Sequence, residues 1–259
     1  MMATSCCSAS TSKSLIMLRI KQASPEDLQA IKQWLEQERQ ESGEGFSCNW
    51  GVIEKSFDDL WVMNDEEIVG FLVKGPCGPD ILEIHPGCRG RGNGRKLVEW
   101  VIDQYYMDGC SVIEVQCSPE TSEPFWRKMG FVIYDNRQSG MPRRCGYKLL
   151  ERKFDMPQGE TVPFRICFYP READWDQSIP AFAVYEGNGI AERGVISLPQ
   201  RAVCYREGYG SCMDYVVSIE VNGKMIFRDK VKRDEAKACG VYRGKDYVYY
   251  IDKINASSI

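Results

Sequence analysis

The sequence predicts an α/β domain followed by a smaller, mostly β domain. Three observations carry that expectation. Residues 81–105, ILEIHPGCRGRGNGRKLVEWVIDQY, read as a short apolar strand, a basic glycine-rich loop and an amphipathic helix. After Phe154 the texture changes from helix-containing to hairpin-rich. Within that later stretch, Asn222-Gly223 divides two alternating apolar runs, a strong hairpin signal.

Composition sets the bounds. A chain of 259 residues suits one large or two small domains, and 43% hydrophobic residues allow a sizeable core. The net charge of −4 disfavours a nucleic-acid partner of the usual basic kind. Twelve cysteines form no C-x-x-C pair, and a single histidine, His85, leaves no Cys/His zinc set, so no metal is expected. The cysteines read as reduced thiols of a cytoplasmic protein, with paired disulfides of a secreted one as the alternative. No stretch approaches the apolar length that crosses a membrane, so no membrane partner is expected.

Along the chain, residues 1–16 are small and polar and read as a disordered tail upstream of a natural start at Met17. Leu18-Arg19-Ile20 begins a strand. Ser24-Pro25-Glu26-Asp27 offers a helix N-cap, a proline at the first helical position and acids in the first turn. Leu28, Ile31, Trp34 and Leu35 form the apolar face of that helix through about Glu41. The next loop holds Gly43, Gly45, Phe46, Cys48, Asn49 and Trp50. It reads either as a mobile lid or pocket wall, or as a second short helix packing Phe46 and Trp50 into the core. Residues 60–63 and 68–73 read as a hairpin.

Strand 81–84 follows. Glu83 and His85 share one of its faces, Leu82 and Ile84 the other. Arg89-Gly90-Arg91-Gly92-Asn93-Gly94 can turn backbone N–H groups toward an anion at the start of the helix. Arg89, Arg91, Arg95 and Lys96 add fixed charge, so the physical reading is a phosphate cradle. An ordinary strand-to-helix turn is the bland alternative. The loop is not a Walker loop, because GxxxxGK[ST] is absent, and it does not fit the G-x-G-x-x-G dinucleotide frame. Residues 110–117 read as a strand and 123–129 as a short helix stopped by Gly130. Residues 131–134 and 145–150 complete the sheet.

Arg89-x-x-Gly92-x-Gly94 after a strand resembles motif A of the GNAT acetyltransferase superfamily, R/Q-x-x-G-x-G/A. Phe125-Trp126-Arg127-Lys128-Met129-Gly130-Phe131 resembles the later motif of the same superfamily, an aromatic pair, three residues, then Gly-Phe. The resemblance covers residues 17–153 and divides the chain into the tail, a GNAT-like domain at 17–154 and a β-rich domain at 157–259. It implies a mixed central sheet of GNAT type with flanking helices. It further implies acetyl-CoA as co-substrate, with phosphates on the backbone of residues 90–95 and the pantetheine arm along the strand holding Leu82 and Ile84. Arg89, Gly90, Arg91, Gly92, Asn93, Gly94, Arg95 and Trp126 complete the expected coenzyme set.

The same resemblance implies acetyl transfer to a primary amine by direct attack, the acceptor being an amine-bearing small molecule or protein. Glu83 is the first choice for general base, a solvated strand carboxylate being the alternative. His85 reads as a proton relay or as a packed imidazole. Much of the superfamily has a tyrosine acid at the second aromatic of the later motif. Trp126 stands there, and Pro119 stands where an asparagine is often found. An indole N–H does not give up its proton at useful pH. Tyr134, then Ser122, are the substitutes. Two rival readings stand beside the enzyme: a non-catalytic acyl-CoA- or partner-binding protein, and a toxin that acetylates aminoacyl-tRNA, against which the acidic charge counts. The loop 135–144, with Arg137, Arg143 and Arg144, reads as solvated, or as a contact for an acidic substrate or the coenzyme's ribose phosphate.

Asp155-Met156-Pro157-Gln158-Gly159 is a plausible linker. Beyond it, residues 162–169, 181–185, 194–198, 201–205, 215–221, 224–228 and 247–251 read as strands. Residues 151–259 carry 16 Lys+Arg and 16 Asp+Glu, so the net charge belongs to residues 1–150. No catalytic constellation is visible in this half. Three roles stand open for it: shaping the acceptor site, forming a homodimer, or binding a partner.

Overall fold

The computed structural model describes residues 18–42, 50–136, 144–208 and 214–256. The expected tail at 1–16, the loop residues Gly43, Gly45, Phe46, Cys48 and Asn49, and Arg137 and Arg143 lie outside the described residues. The elements are β1 (Arg19–Gln22), α1 (Pro25–Ser42), α2 (Trp50–Lys55), β2 (Leu60–Asn64), β3 (Ile68–Lys74), β4 (Pro79–Ile84), α3 (Asn93–Met107), β5 (Val112–Gln116), α4 (Glu123–Lys128), β6 (Val132–Asp135) and β7 (Arg144–Leu149). There follow β8 (Glu160–Tyr169), β9 (Ala183–Glu192), β10 (Val195–Cys204), β11 (Val216–Val221), β12 (Lys224–Lys230), α5 (Asp234–Ala238), β13 (Val241–Arg243) and β14 (Tyr249–Asn255). The α/β expectation for the first part and the β-rich expectation for the second are both met.

The chain divides into two compact units, Met1–Val73 with Ile81–Leu97, and Lys74–Asp80 with Val98–Ile259. In the first, β1, β2, β3 and β4 lie side by side in that order. The N-terminus of α1 closes as a capping box. Ser24 Oγ accepts from the Asp27 N–H at 3.3 Å, and Asp27 Oδ2 accepts from the Ser24 N–H at 2.8 Å. Ile31, Trp34 and Leu35 of α1 pack with Ile53, Leu60, Val62, Phe71, Val73 and Ile81, the face that the 3.6-residue spacing predicted. Trp50 opens α2 and packs against this core. Gly70 on β3 is required by close approach: a Cβ there would lie 2.7 Å from Glu83 O and 2.5 Å from Ile84 Cδ1.

The second unit holds a three-stranded sheet, β5-β7-β6, and a seven-stranded one, β12-β11-β8-β9-β10-β14-β13. Asn222 and Gly223 take φ of 52° and 74° between β11 and β12, the left-handed pair that a two-residue hairpin turn needs. Ile166, Phe168, Leu198, Val217, Ile219 and Ile251 are central in the core of the larger sheet. The expected linker at 155–159 lies inside this unit. Just before it, Phe154 N–H donates to Pro199 O at 3.0 Å, and Lys153 pairs with Gln200.

Two buried polar groups tie distant stretches of the second unit together. Asp246, 2% exposed, accepts from the N–H groups of Ser111 (2.5 Å), Val112 (3.0 Å) and Val248 (3.2 Å). Arg201 makes a two-pronged ion pair with Asp252 at 2.8 and 2.7 Å, and donates to Gly109 O at 2.7 Å and Ser111 Oγ at 3.2 Å. Its guanidinium also lies 3.7 Å over the Tyr250 ring. Burial without such partners would cost several kcal/mol per charge, so these contacts are what make the buried charges tolerable.

Candidate active site

The site begins where β4 ends. Pro86 stops the strand and Gly90 and Gly92 take φ of 75° and 80°, so the chain folds back into α3 within a few residues. A Cβ on either glycine would find nothing within 4 Å, which leaves open space in front of the loop. Asn93, buried at the first position of α3, donates its Nδ2–H to Cys88 O at 3.0 Å and pins the loop from behind. Lys96 N–H donates to Gly92 O at 3.1 Å and starts the helical ladder. The amides before it have no acceptor within the helix, and the helix dipole makes this end positive. Arg91, Arg95 and Lys96 are exposed around it. The arrangement suits a phosphate group.

Arg89 does a different job from its neighbours. Its Nε–H donates back to Ile84 O at 2.9 Å, and its Nη2 reaches Glu83 Oε1 at 2.6 Å and Glu38 Oε1, on α1, at 3.1 Å. The arginine is half exposed, but the Glu83 and Glu38 side chains are only 11% and 14% exposed. Glu83 is therefore no solvated strand carboxylate. Burial pushes its carboxyl above the usual glutamate range, Arg89 pulls it down, and the Glu38 charge pushes it up again. His85, just past the end of β4, packs against Trp34 with ring centres 5.1 Å apart, and its Nδ1 accepts from the Gly87 N–H at 3.3 Å. That is the packed imidazole of the two readings. Trp34 itself stands edge-on to Phe71 at 5.3 Å, and its Nε1 is buried without a hydrogen-bond partner.

The other expected site residues belong to the second unit. Trp126 on α4 is buried between Phe125 and Phe131, with ring centres 5.1 and 5.2 Å away. Ser122 Oγ, at the start of α4, is buried without a hydrogen-bond partner. Tyr134 on β6 is half buried, hydrogen-bonded to the Tyr205 hydroxyl and the Gly208 backbone. Burial, then the Glu114 carboxylate and Cys145, push its hydroxyl up to about 12. Tyr205 Oη in turn donates to Glu114 Oε1, on β5, at 2.7 Å, and its ring packs 4.9 Å from that of Tyr147. Tyrosines and a carboxylate thus form a hydrogen-bonded chain.

The structure therefore ties Glu83 and Ile84, at the end of β4, to Arg89 at the head of the 90–95 loop, with Leu82 half buried one residue before Glu83. Three participants escaped the sequence reading. Glu38 had a signal: it lies four residues after Trp34 and three after Leu35, so a carboxylate occupies the apolar face of α1. Tyr205 and Glu114 had none, since their meeting spans 91 positions.

Among the described residues no group of three or more His, Cys, Asp and Glu side chains is placed to hold a metal. No helix among them is long and apolar enough to cross a membrane. The described cysteines are free thiols, six of them buried. Burial pushes Cys77 and Cys110 up to about 11, which makes both poor nucleophiles at neutral pH.

Residues 56–133 match the family model described as acetyltransferase (GNAT) domain, and both motifs fall inside the match. Similar solved structures include a GNAT acetyltransferase from Staphylococcus aureus Mu50, at 14% identity and TM-score 0.42, covering 52% of this chain and 99% of that one. The ribosomal-protein-S18-alanine N-acetyltransferase of Escherichia coli is similar at 18% identity and TM-score 0.39, covering 52% and 93%. A GNAT N-acetyltransferase from Escherichia coli in complex with CoA is similar at 16% identity and TM-score 0.42, covering 54% and 84%. No curated protein matches the chain.

Proposed function

We propose that the chain is an N-acetyltransferase that moves an acetyl group from acetyl-CoA to a primary amine. The observation that carries this reading is the buried Glu83 carboxylate, six residues before an arginine and a glycine loop shaped for phosphate. In the proposed reaction the coenzyme's pyrophosphate sits on the backbone of residues 90–95 and its pantetheine arm follows Leu82 and Ile84. The amine nitrogen attacks the thioester carbonyl. As the N–C bond forms, Glu83 takes the nitrogen's proton; as the C–S bond breaks, the thiolate receives a proton from Tyr134. A carboxyl held above its ordinary range is a better base than a free one, and positioned acid–base help is worth about 10²–10⁴-fold. The acceptor is an amine-bearing small molecule or protein, and the chain would work in the cytoplasm. Residues 157–259 would form a β-rich domain of their own, with 17–154 as the transferase.

A second reading, a non-catalytic acyl-CoA-binding protein, is favoured by two observations. The indole of Trp126 is packed against two phenylalanines, and the Tyr134 hydroxyl already has partners. Following free thiol release from acetyl-CoA with and without a panel of amines decides between the readings. Amine-dependent release supports the transferase; tight acetyl-CoA binding without release supports the binder.

A further inference from the structure

We propose that Glu38 is a positioning residue for the reaction: by sharing Arg89 with Glu83, it keeps the Glu83 carboxylate from being fully neutralised and so able to take the acceptor's proton. The inference rests on the reading of Glu83 as base. Arg89 Nη2 lies between two carboxylates, 2.6 Å from Glu83 and 3.1 Å from Glu38. Its Nε–H is committed to Ile84 O at 2.9 Å, which holds the guanidinium in that position. A single guanidinium facing one carboxylate would form a closed pair and make that carboxylate a weak base. Facing two, it divides its charge between carboxylate side chains that are both nearly buried.

Few charges border Glu83 among the described residues. Arg89 approaches from the loop after β4, and Glu38 from α1. Just past the end of β4, His85 packs tilted against Trp34. β3 presents the backbone of Gly70 at this level and no charge. Glu38 is therefore the one carboxylate described beside the pair, and it sits where the spacing of Ile31, Trp34 and Leu35 calls for an apolar side chain.

The test is a titration of the Glu83 side-chain carboxyl by carbon-13 NMR on the full chain, its signal assigned by loss in Glu83→Gln. Glu38→Gln is isosteric and can still accept the hydrogen bond from Arg89, and Glu38→Ala repeats the charge removal without that bond. In both, the Glu83 midpoint is expected to move to lower pH, and the acid limb of kcat/KM to move with it. Glu38→Asp, which keeps the charge, is expected to leave both near wild type. A midpoint that stays or rises in Glu38→Gln and Glu38→Ala overturns the proposal. A midpoint that falls while the acid limb stays in place overturns the reading of Glu83 as base, and with it the role of Glu38 in the reaction.

Discussion

Tyr205 Oη donates a hydrogen bond to Glu114 Oε1 at 2.7 Å, and the same tyrosine holds the hydroxyl of Tyr134. A residue from the β-rich half thus reaches the side chain proposed as the acid. Tyr134→Phe should lower turnover about a hundredfold with acetyl-CoA affinity intact, the lower end of what acid–base help supplies. Unchanged turnover in an active protein would remove Tyr134 from the mechanism.

The position of that hydroxyl predicts a pH response. The protonated tyrosine is the active form, and its titration is pushed up to about 12 rather than the ordinary value near 10. The rate should therefore hold past pH 10 before Tyr134 ionises. A tyrosine-dependent fall centred near pH 10, present in wild type and absent in Tyr134→Phe, would contradict this.

Gly94 tests the cradle. A β-branched side chain in the first turn of α3 should crowd a pyrophosphate while leaving the rest of the helix in place. Calorimetry on Gly94→Val should show acetyl-CoA binding lost, with circular dichroism unchanged. Retained affinity would put the coenzyme elsewhere.

Asp246 is the stability test. It satisfies the amides of Ser111, Val112 and Val248, and its replacement by alanine leaves buried donors without partners. Hydrogen bonds to a charged group contribute about 1.5–3 kcal/mol each, so Asp246→Ala should cost about 3 kcal/mol or more in urea unfolding. Limited proteolysis in the exposed 155–159 stretch should leave the two fragments together in size exclusion, because Asp246 and Arg201 bridge them. Fragments that separate from wild-type protein would show these bonds to be weak.

Much of the fold was legible because local signals coincided. The apolar strand, the glycine loop and the periodic face from Leu97 to Tyr105 became β4, the turn and α3; Asn222-Gly223 became the turn it promised. Other parts were hidden for physical reasons. Pro199 and Gln200 divided β10 into two expected strands, but it is one strand with a register shift between Ser197 and Ala202. Gly187 and Gly189 masked the length of β9, although Gly189 is there so that β10 can approach: a Cβ would lie 2.8 Å from Ser197 O. α5 and β13 are too short to show a period. At the site, the identity of Glu83 was legible and its environment was not. The sharing of Arg89 depends on Glu38 of α1, which α2 and the β2–β3 hairpin separate from β4 in the sequence.

The most direct test of the account is the rate of amine-dependent CoA release by wild type and Glu83→Gln, measured with acetyl-CoA affinity on the same samples. A drop of about 10²–10⁴-fold in Glu83→Gln at unchanged affinity is the predicted result. Equal rates in the two proteins, at any pH where wild type turns over, would contradict it.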